Sequence, residues 1–240
     1  KDGRKFMKAA ERCEKPIIAL KSGRTSEGSS AASSHTASLA GKDGVYKGAF
    51  KQSGVIRVYS LRELFNLVKS ISCQPPSQGS NISVVTNGGG AGVMTTDALV
   101  DIGLNLANFT KTTRKKFKES VKEGKIPEHA TTQNPVDIIG DAPSKRYQEA
   151  MEIVLEDSNT DGLIVICLFQ SPALDEDIVE KISKMQEYEE PIICVAPGGE
   201  YTHKITAKIE DEGVPVYQTP EEAVEAIWGL AECGKCGHEF

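Results

Sequence analysis

Short apolar runs at 16–20, 54–59, 82–86, 163–169, 191–196 and 214–217 alternate with longer amphipathic stretches along the chain. Runs rich in Val and Ile, without a polar residue at every second place, suit parallel strands covered on both faces. Between them, 61–70 (LRELFNLVKS) sets Leu61, Leu64, Phe65 and Val68 on one helical face. The stretches 175–188 and 221–230 follow the same pattern. Strand–helix alternation predicts an α/β fold built on parallel sheets.

Charge and composition remove several function classes. The 240 residues carry 28 Lys and Arg against 34 Asp and Glu, a net charge of −6. Neutralising a phosphate backbone needs clustered cations, so no nucleic-acid partner is expected. No apolar run approaches the roughly 18 residues that cross a bilayer, so no membrane partner is expected either. The opening KDGRKFMKAA lacks an apolar signal core and an initiator Met, and the chain reads as a piece of a longer protein. Its six cysteines are too sparse for a disulfide scaffold, and Cys167 and Cys194 fall inside apolar runs, as buried thiols do. A reducing cytoplasm is the expected location.

The polar, Pro-rich segment 73–80 (CQPPSQGS) reads as a linker. It divides the chain into a first unit, 1–72, a second unit, 81–232, and a tail, 233–240. The first unit is short for a doubly wound domain, which implies that its N-terminal strands lie outside this sequence. A weak repeat relates the two units: PIIALKSG at 16–23 resembles PIICVAPG at 191–198, and GVIRVY at 54–59 resembles GVPVY at 213–217. Both units therefore end in a strand–helix–strand–helix block. The first copy carries an insertion, 23–41, directly after its strand. Ligands of open parallel sheets sit beyond the carboxyl ends of strands, so this insertion is a candidate site.

Three segments carry chemistry. The insertion GRTSEGSSAASSHTASLAG is almost all small residues around one imidazole, His35. It reads either as a flexible Ser/Gly loop or as a loop presenting His35 to a ligand. Ser34 beside His35 does not make a hydrolase, because no G-x-S-x-G elbow is present. The second segment, TNGGGAGVMTTD at 86–97, follows a strand and opens a helix. Gly88, Gly89 and Gly90 leave backbone N–H groups open at the positive end of a helix, which suits an anion. No G-K-[ST] follows, so it is not a Walker A loop. The third segment follows the run 163–169: Ser171 is placed to cap a helix with Pro172 as its first residue and Ala173 next. Pro197, Gly198 and Gly199 have the same placement with a weaker pattern.

Together, SGRTSEGSSAASSHTASLAG, VVTNGGGAGVMTTDAL and NPVDIIGDAP resemble the ADP-forming acyl-CoA synthetases (acetate–CoA ligases) and, more distantly, succinyl-CoA synthetase. The resemblance runs to about residue 232, with the motifs in family order. It implies two flavodoxin-like domains with parallel sheets, the first truncated at its N-terminus. It implies an enzyme, an acid–thiol ligase that interconverts acyl-CoA, ADP and phosphate with a carboxylic acid, CoA and ATP through an acyl phosphate and a phosphohistidine. His35 matches the phosphorylated His. Asn87, Gly88, Gly89 and Gly90 match a loop at the acyl and phosphate site, and Ser171, Pro172 and Ala173 match a helix start that points at the phosphate. CoA and Mg-ADP or Mg-ATP are then substrates bound mainly by other modules: an N-terminal CoA-binding Rossmann domain and an ATP-grasp domain or subunit. A small carboxylic acid is the third partner, and an oligomer is implied. The family reads S-H-T-G-S where this chain has Ala37, which stiffens the loop.

Two competing readings remain. One is a regulatory, non-catalytic relative fused to an acetyltransferase; the intact SHT favours the enzyme. The other is a zinc or redox protein built on Cys233, Cys236 and His238, but a structural zinc site takes four ligands. A frayed tail is the expectation there, with no metal held by the chain. The run 112–118 (TTRKKFK) reads as a solvated helix face. His129 and His203 read as surface residues, and Asp97 and Asp137 as local turn or cap residues.

Overall fold

The computed structural model describes residues 2–36 and 42–236, with side chains for all of these except 33–36. The first unit runs α1 (Gly3–Ala10), β1 (Ile18–Leu20), α2 (Ser26–Thr36), α3 (Asp43–Gln52), β2 (Ile56–Val58) and α4 (Leu61–Ile71). Its two strands pair in parallel, Ile18 opposite Ile56. The second unit runs β3 (Asn81–Thr86), α5 (Gly89–Asp101), β4 (Asn105–Leu106), α6 (Lys111–Lys122), β5 (Val136–Asp137), α7 (Ser144–Leu155), β6 (Gly162–Ile166), α8 (Ile178–Lys184), β7 (Ile192–Val195), α9 (Glu200–Asp211), β8 (Val216–Tyr217) and α10 (Pro220–Lys235). Its strands lie in the order β4-β3-β6-β7-β8, all parallel, with β5 added beside the end of β3.

This order is the flavodoxin-like one, and the apolar runs explain it. Gly162–Ile166 and Ile192–Val195 are buried along their whole length because helices cover both faces. On one face, Phe117, Met151, Ile182 and Ile205 bring α6, α7, α8 and α9 into one core. On the other, Leu99 of α5 and Ile227 and Leu230 of α10 pack beneath Ile82, Ile164 and Ile193. The repeated block is present twice. In its first copy the inserted segment forms a helix, α2, where the Ser/Gly composition suggested a loop.

Several expectations need correction. The helix expected over 175–188 is regular only from Ile178 to Lys184, followed by a tight 3-10 turn over Met185–Glu187. Leu61, Phe65 and Val68 of α4 stay 60%, 66% and 47% exposed. The buried strip of α4 is Leu67 and Ser70 instead. The reason is closeness: Ser70 Oγ lies 3.4 Å from the Ala226 carbonyl of α10, and a Cβ on Gly229 would stand 2.8 Å from Leu67 Cγ. Helices that approach this closely select small residues, and a hydrophobic periodicity does not register them.

The segment 73–80 is not a loose linker. Gln74 Nε2 donates to the Gly213 carbonyl at 2.8 Å, and its Oε1 accepts from Ile192 N at 2.8 Å. Ser77 N donates to the Leu230 carbonyl at 3.1 Å and Ser77 Oγ to the Asp161 carbonyl at 2.6 Å. These residues are polar because they satisfy buried backbone groups. Asn134 works in the same way. Its Oδ1 accepts from Val84 N at 2.9 Å, and its Nδ2 donates to the carbonyls of Ile82 and Ala107 at 2.8 and 3.1 Å. The tail also departs from expectation: Cys233 is fully buried in α10, against Ile56 and Val58 of the first unit. Among the described residues, no helix is long and apolar enough to cross a membrane.

Gly229→Ala therefore tests the seam between the units. At an open helical site this change gains about 0.5–1 kcal/mol. Here it is expected to lose about 1–3 kcal/mol in denaturant unfolding, because the methyl overpacks against Leu67. A gain would show that the α4–α10 contact is loose.

Candidate functional site

Chain crossings change face at β3. The connection β3–α5–β4 runs over one face, while β5–α7–β6 runs over the other, so the loops after β3 and β6 flank a crevice at the carboxyl edge of the sheet. Open α/β sheets bind ligands at such a switch point. The loop after β3 is fixed from below. Thr86 Oγ1 accepts from Gly88 N at 2.9 Å and faces the Gly88 carbonyl at 3.0 Å. Asn87 is 4% exposed. Its Oδ1 accepts from Leu168 N at 2.9 Å, and its Nδ2 donates to the Leu168 carbonyl at 3.2 Å. Both ends of the Asn87 amide are thus engaged by the loop after β6. Asn87 holds the two loops at their separation.

The three glycines have different reasons. A Cβ on Gly88 would lie 2.3 Å from Leu168 Cδ1, and one on Gly89 would lie 2.7 Å from Asp137 Oδ2. Gly90 is exposed, and a Cβ there would meet nothing within 4 Å. Glycine at a helical position with open space costs about 0.5–1 kcal/mol relative to alanine. The fold alone gives no return for that cost. Gly88 is the N-cap of α5, with no side-chain cap, and the first acceptor bonds run from Ala91 and Gly92 back to the Gly88 carbonyl. The N–H groups of Gly89 and Gly90 have no acceptor among the described residues. They point out of the helix at its positive end.

Asp137 at the end of β5 is a turn residue, as its sequence setting predicts. Its Oδ1 accepts from Ile139 N at 2.9 Å. Ile139 has a φ of 71°, a left-handed conformation that a β-branched side chain rarely adopts. The other carboxylate oxygen, Oδ2, is the one that faces Gly89. Asp137 thus supplies negative charge to one side of the α5 N-terminus and leaves the Gly90 side open. The sequence suggests a local turn or cap for Asp137, yet nothing in it places this residue beside the glycines.

Ser171, Pro172 and Ala173 do not start a helix. Ser171 Oγ accepts from Ala173 N at 3.3 Å, and Leu174 N returns to the Ser171 carbonyl at 3.3 Å, which makes a Ser turn. The next helix begins only at Ile178, and its N-cap Asp177 makes no side-chain cap bond. Ser followed by Pro serves a cap and a turn equally well. Gln170 Nε2 donates to the Pro197 carbonyl at 3.0 Å, so the third loop is tied to the second. His203 Nε2 lies 3.1 Å from the Gly198 carbonyl, at the surface.

Beneath the crevice, Tyr147 is fully buried and its hydroxyl donates to the Ile166 carbonyl at 2.8 Å. Burial, then the nearby Cys167 and Cys194 thiols, push its pKa well above that of an ordinary phenol. The Cys194 thiol is raised likewise, first by its hydrogen bond with Cys167 and then by burial. Both shifts favour the neutral forms of Tyr147 and Cys194. His35 lies in the last turn of α2, on the other sheet; its side chain is outside the described residues. Among the described residues, no three His, Cys, Asp or Glu side chains gather as a metal site would need.

Comparison with known proteins adds the family. The succinyl-CoA ligase like flavodoxin domain matches residues 1–71, and the Ligase-CoA domain matches 82–231. The chain belongs to the ligase-CoA family. It is 36% identical over 242 residues to the Acetate–CoA ligase [ADP-forming] I subunit alpha of Pyrococcus furiosus, across 98% of this chain and 51% of that one. It is 40% identical to the Acetate–CoA ligase [ADP-forming] of Methanocaldococcus jannaschii, across 93% of this chain and 32% of that one. A solved structure, the Ca. Korarchaeum cryptofilum dinucleotide forming acetyl-coenzyme A synthetase 1 in complex with phosphate and ADP, superposes with a TM-score of 0.88 at 32% identity. That match covers 98% of this chain and 50% of the other. This ligase-CoA chain thus spans about half the length of the Pyrococcus subunit.

The Asn87 tie generates a prediction. Asn87→Ala leaves Leu168 N without its acceptor, while the Leu168 carbonyl keeps Ser171 N at 3.2 Å; stability is expected to fall by about 1–3 kcal/mol. Hydrogen exchange at Leu168 is expected to speed up in parallel. Unchanged exchange there would remove the amide as the tie between the loops.

Proposed function

We propose that this chain is the ligase part of an ADP-forming acyl-CoA synthetase. The observation that supports the reading most is the pair of acceptor-free N–H groups at Gly89 and Gly90, at the switch point of a ligase-CoA fold. Preorganised backbone donors suit an oxyanion whose charge changes during transfer. In the direction of ATP synthesis, phosphate oxygen attacks the acyl carbon of acyl-CoA and the CoA thiolate leaves, protonated, as the thiol. The acyl phosphate then gives its phosphoryl group to the imidazole of His35, releasing the carboxylate. ADP takes the phosphoryl group from His35, giving ATP and restoring the neutral ring. Phosphoryl transfer asks the protein for positioning and charge stabilisation more than for covalent help.

The chain's own residues divide this work. Gly89 and Gly90 hold the phosphate or acyl phosphate, Asn87 holds the two loops at their separation, and Asp137 closes one side so that the anion lies toward Gly90. Ser171, Pro172 and Ala173 line the neighbouring loop as a turn. CoA, Mg-ADP and the carboxylic acid are the substrates, met with a CoA-binding domain and an ATP-grasp domain or subunit outside these residues, in the cytoplasm and in an oligomer. The relatives' names support this: the Pyrococcus protein is called a subunit alpha, and a Nitrosopumilus maritimus relative at 32% identity is called 4-hydroxybutyrate–CoA ligase [ADP-forming]. Acetate is the first acid to assay and 4-hydroxybutyrate the second.

The reading is tested by incubating the complete protein, with its ATP-grasp partner, with Mg²⁺ and γ-labelled ATP. An acid-labile, base-stable label on the wild type that is lost in His35→Ala is expected. No label with every module folded would overturn the relay and favour a regulatory relative. Gly90→Ala is a second test. The methyl has room in the fold, so stability is expected to hold or rise. It intrudes where the anion sits, so KM for phosphate is expected to rise about tenfold, near 1.4 kcal/mol. An unchanged KM would move the anion elsewhere.

A further inference from the structure

The first sheet has its own carboxyl edge, and three cations gather there against one carboxylate. Arg57 lies in the middle of β2, opposite Ala19 of β1. Its neighbours Ile56 and Val58 face Leu67 of α4, so Arg57 points to the opposite face, toward α3. Only 7% of its side chain is exposed. Nη2 donates to Asp43 Oδ1 at 2.5 Å. Nε and Nη1 are buried and have no acceptor among the described residues. A buried donor left unmatched costs about 1–3 kcal/mol, and more when it is charged. Such a group in a stable fold asks for an account.

Its surroundings supply one. The Arg57 guanidinium lies 4.9 Å from the Tyr59 ring centroid, and the exposed Arg24 reaches the same ring at 5.1 Å. Lys21 stands over Tyr46 at 4.7 Å and donates to the Gly23 carbonyl at 3.2 Å. The Asp43 carboxyl is held below its ordinary range, first by the Arg57 hydrogen bond and then by the charges of Arg57, Lys21 and Arg24. Glu27 and Glu63 keep their charge and bond locally, to Ser26 Oγ at 2.8 Å and Tyr59 N at 2.5 Å; among the described residues, Asp43 is the one carboxylate that acts on Arg57. Three cations facing one carboxylate leave an excess of two positive charges. That excess and a fork of two unpaired N–H groups match a phosphate dianion better than a carboxylate.

We propose that Lys21, Arg24 and Arg57 form a second anion site, selective for a phosphate group, on the first sheet. Tyr59, 45% exposed, is its movable cover and swings aside with Arg24 to uncover the Arg57 fork. The site is separate from the α5 N-terminus and does not need His35, so the failure of either proposal leaves the other standing. The test is a titration of the complete protein with inorganic phosphate, reading the Nε–H cross-peak of Arg57, which is identified by its loss in Arg57→Lys. A saturable shift is expected. The double variant Lys21→Gln, Arg24→Gln alters only partly or fully exposed side chains and keeps the fold. Its apparent Kd is expected to rise at least about tenfold, while His35→Ala leaves the shift unchanged. A cross-peak that never moves, a double variant with wild-type affinity, or acetate binding as tightly as phosphate would each overturn the assignment.

Discussion

The amide of Asn87 ties the loop after β3 to the loop after β6, and the geometry of the whole sheet edge follows from that tie. An asparagine holding both the N–H and the carbonyl of Leu168 sets the width of the crevice. Gly88 must then lack a side chain, since Leu168 Cδ1 occupies the space. With Gly88 as the cap, the first N–H groups of α5 have neither a side-chain acceptor nor an earlier carbonyl to bond. The open donors at Gly89 and Gly90 are therefore a consequence of how two buried strands are held apart.

The same economy governs the rest of the chain. Polar residues that look like surface or linker material, Gln74, Ser77 and Asn134, are buried on backbone groups that would otherwise lack partners. They join β-strands to each other and fasten the first unit to the second. Cys233 and Leu67 complete the seam from the apolar side. Substrate-handling loops at the carboxyl edge are thus carried by a frame with little freedom, which is what preorganised donors require.

Much of this was legible in the sequence. The Val- and Ile-rich runs announced the parallel strands, because a strand buried on both faces has no polar alternation to hide. The glycine segment after 82–86 announced a helix start at a strand end. What stayed hidden depends on contacts between distant residues. Phe65 looked buried because its spacing fits an apolar face, but Ser70 and Gly229 bring α4 and α10 together along a different strip. Ser171 and Pro172 looked like a cap because the same pair also makes a turn. α2 was masked by a Ser- and Ala-rich composition with no apolar stripe. Leu168 and Arg57 carried no motif at all, and the NPVDIIGDAP motif did not set Asp137 beside the glycines: their meaning lies in what stands opposite them.

The central claim is that an anion lies against the α5 N-terminus on the side left open by Asp137. The most direct measurement follows the backbone amide cross-peaks of Gly89 and Gly90 in the complete protein as phosphate is added. Saturable shifts of both amides, with the Leu168 amide held in place by Asn87, are the predicted result. Fixed Gly89 and Gly90 amides under phosphate concentrations that support turnover would contradict the account.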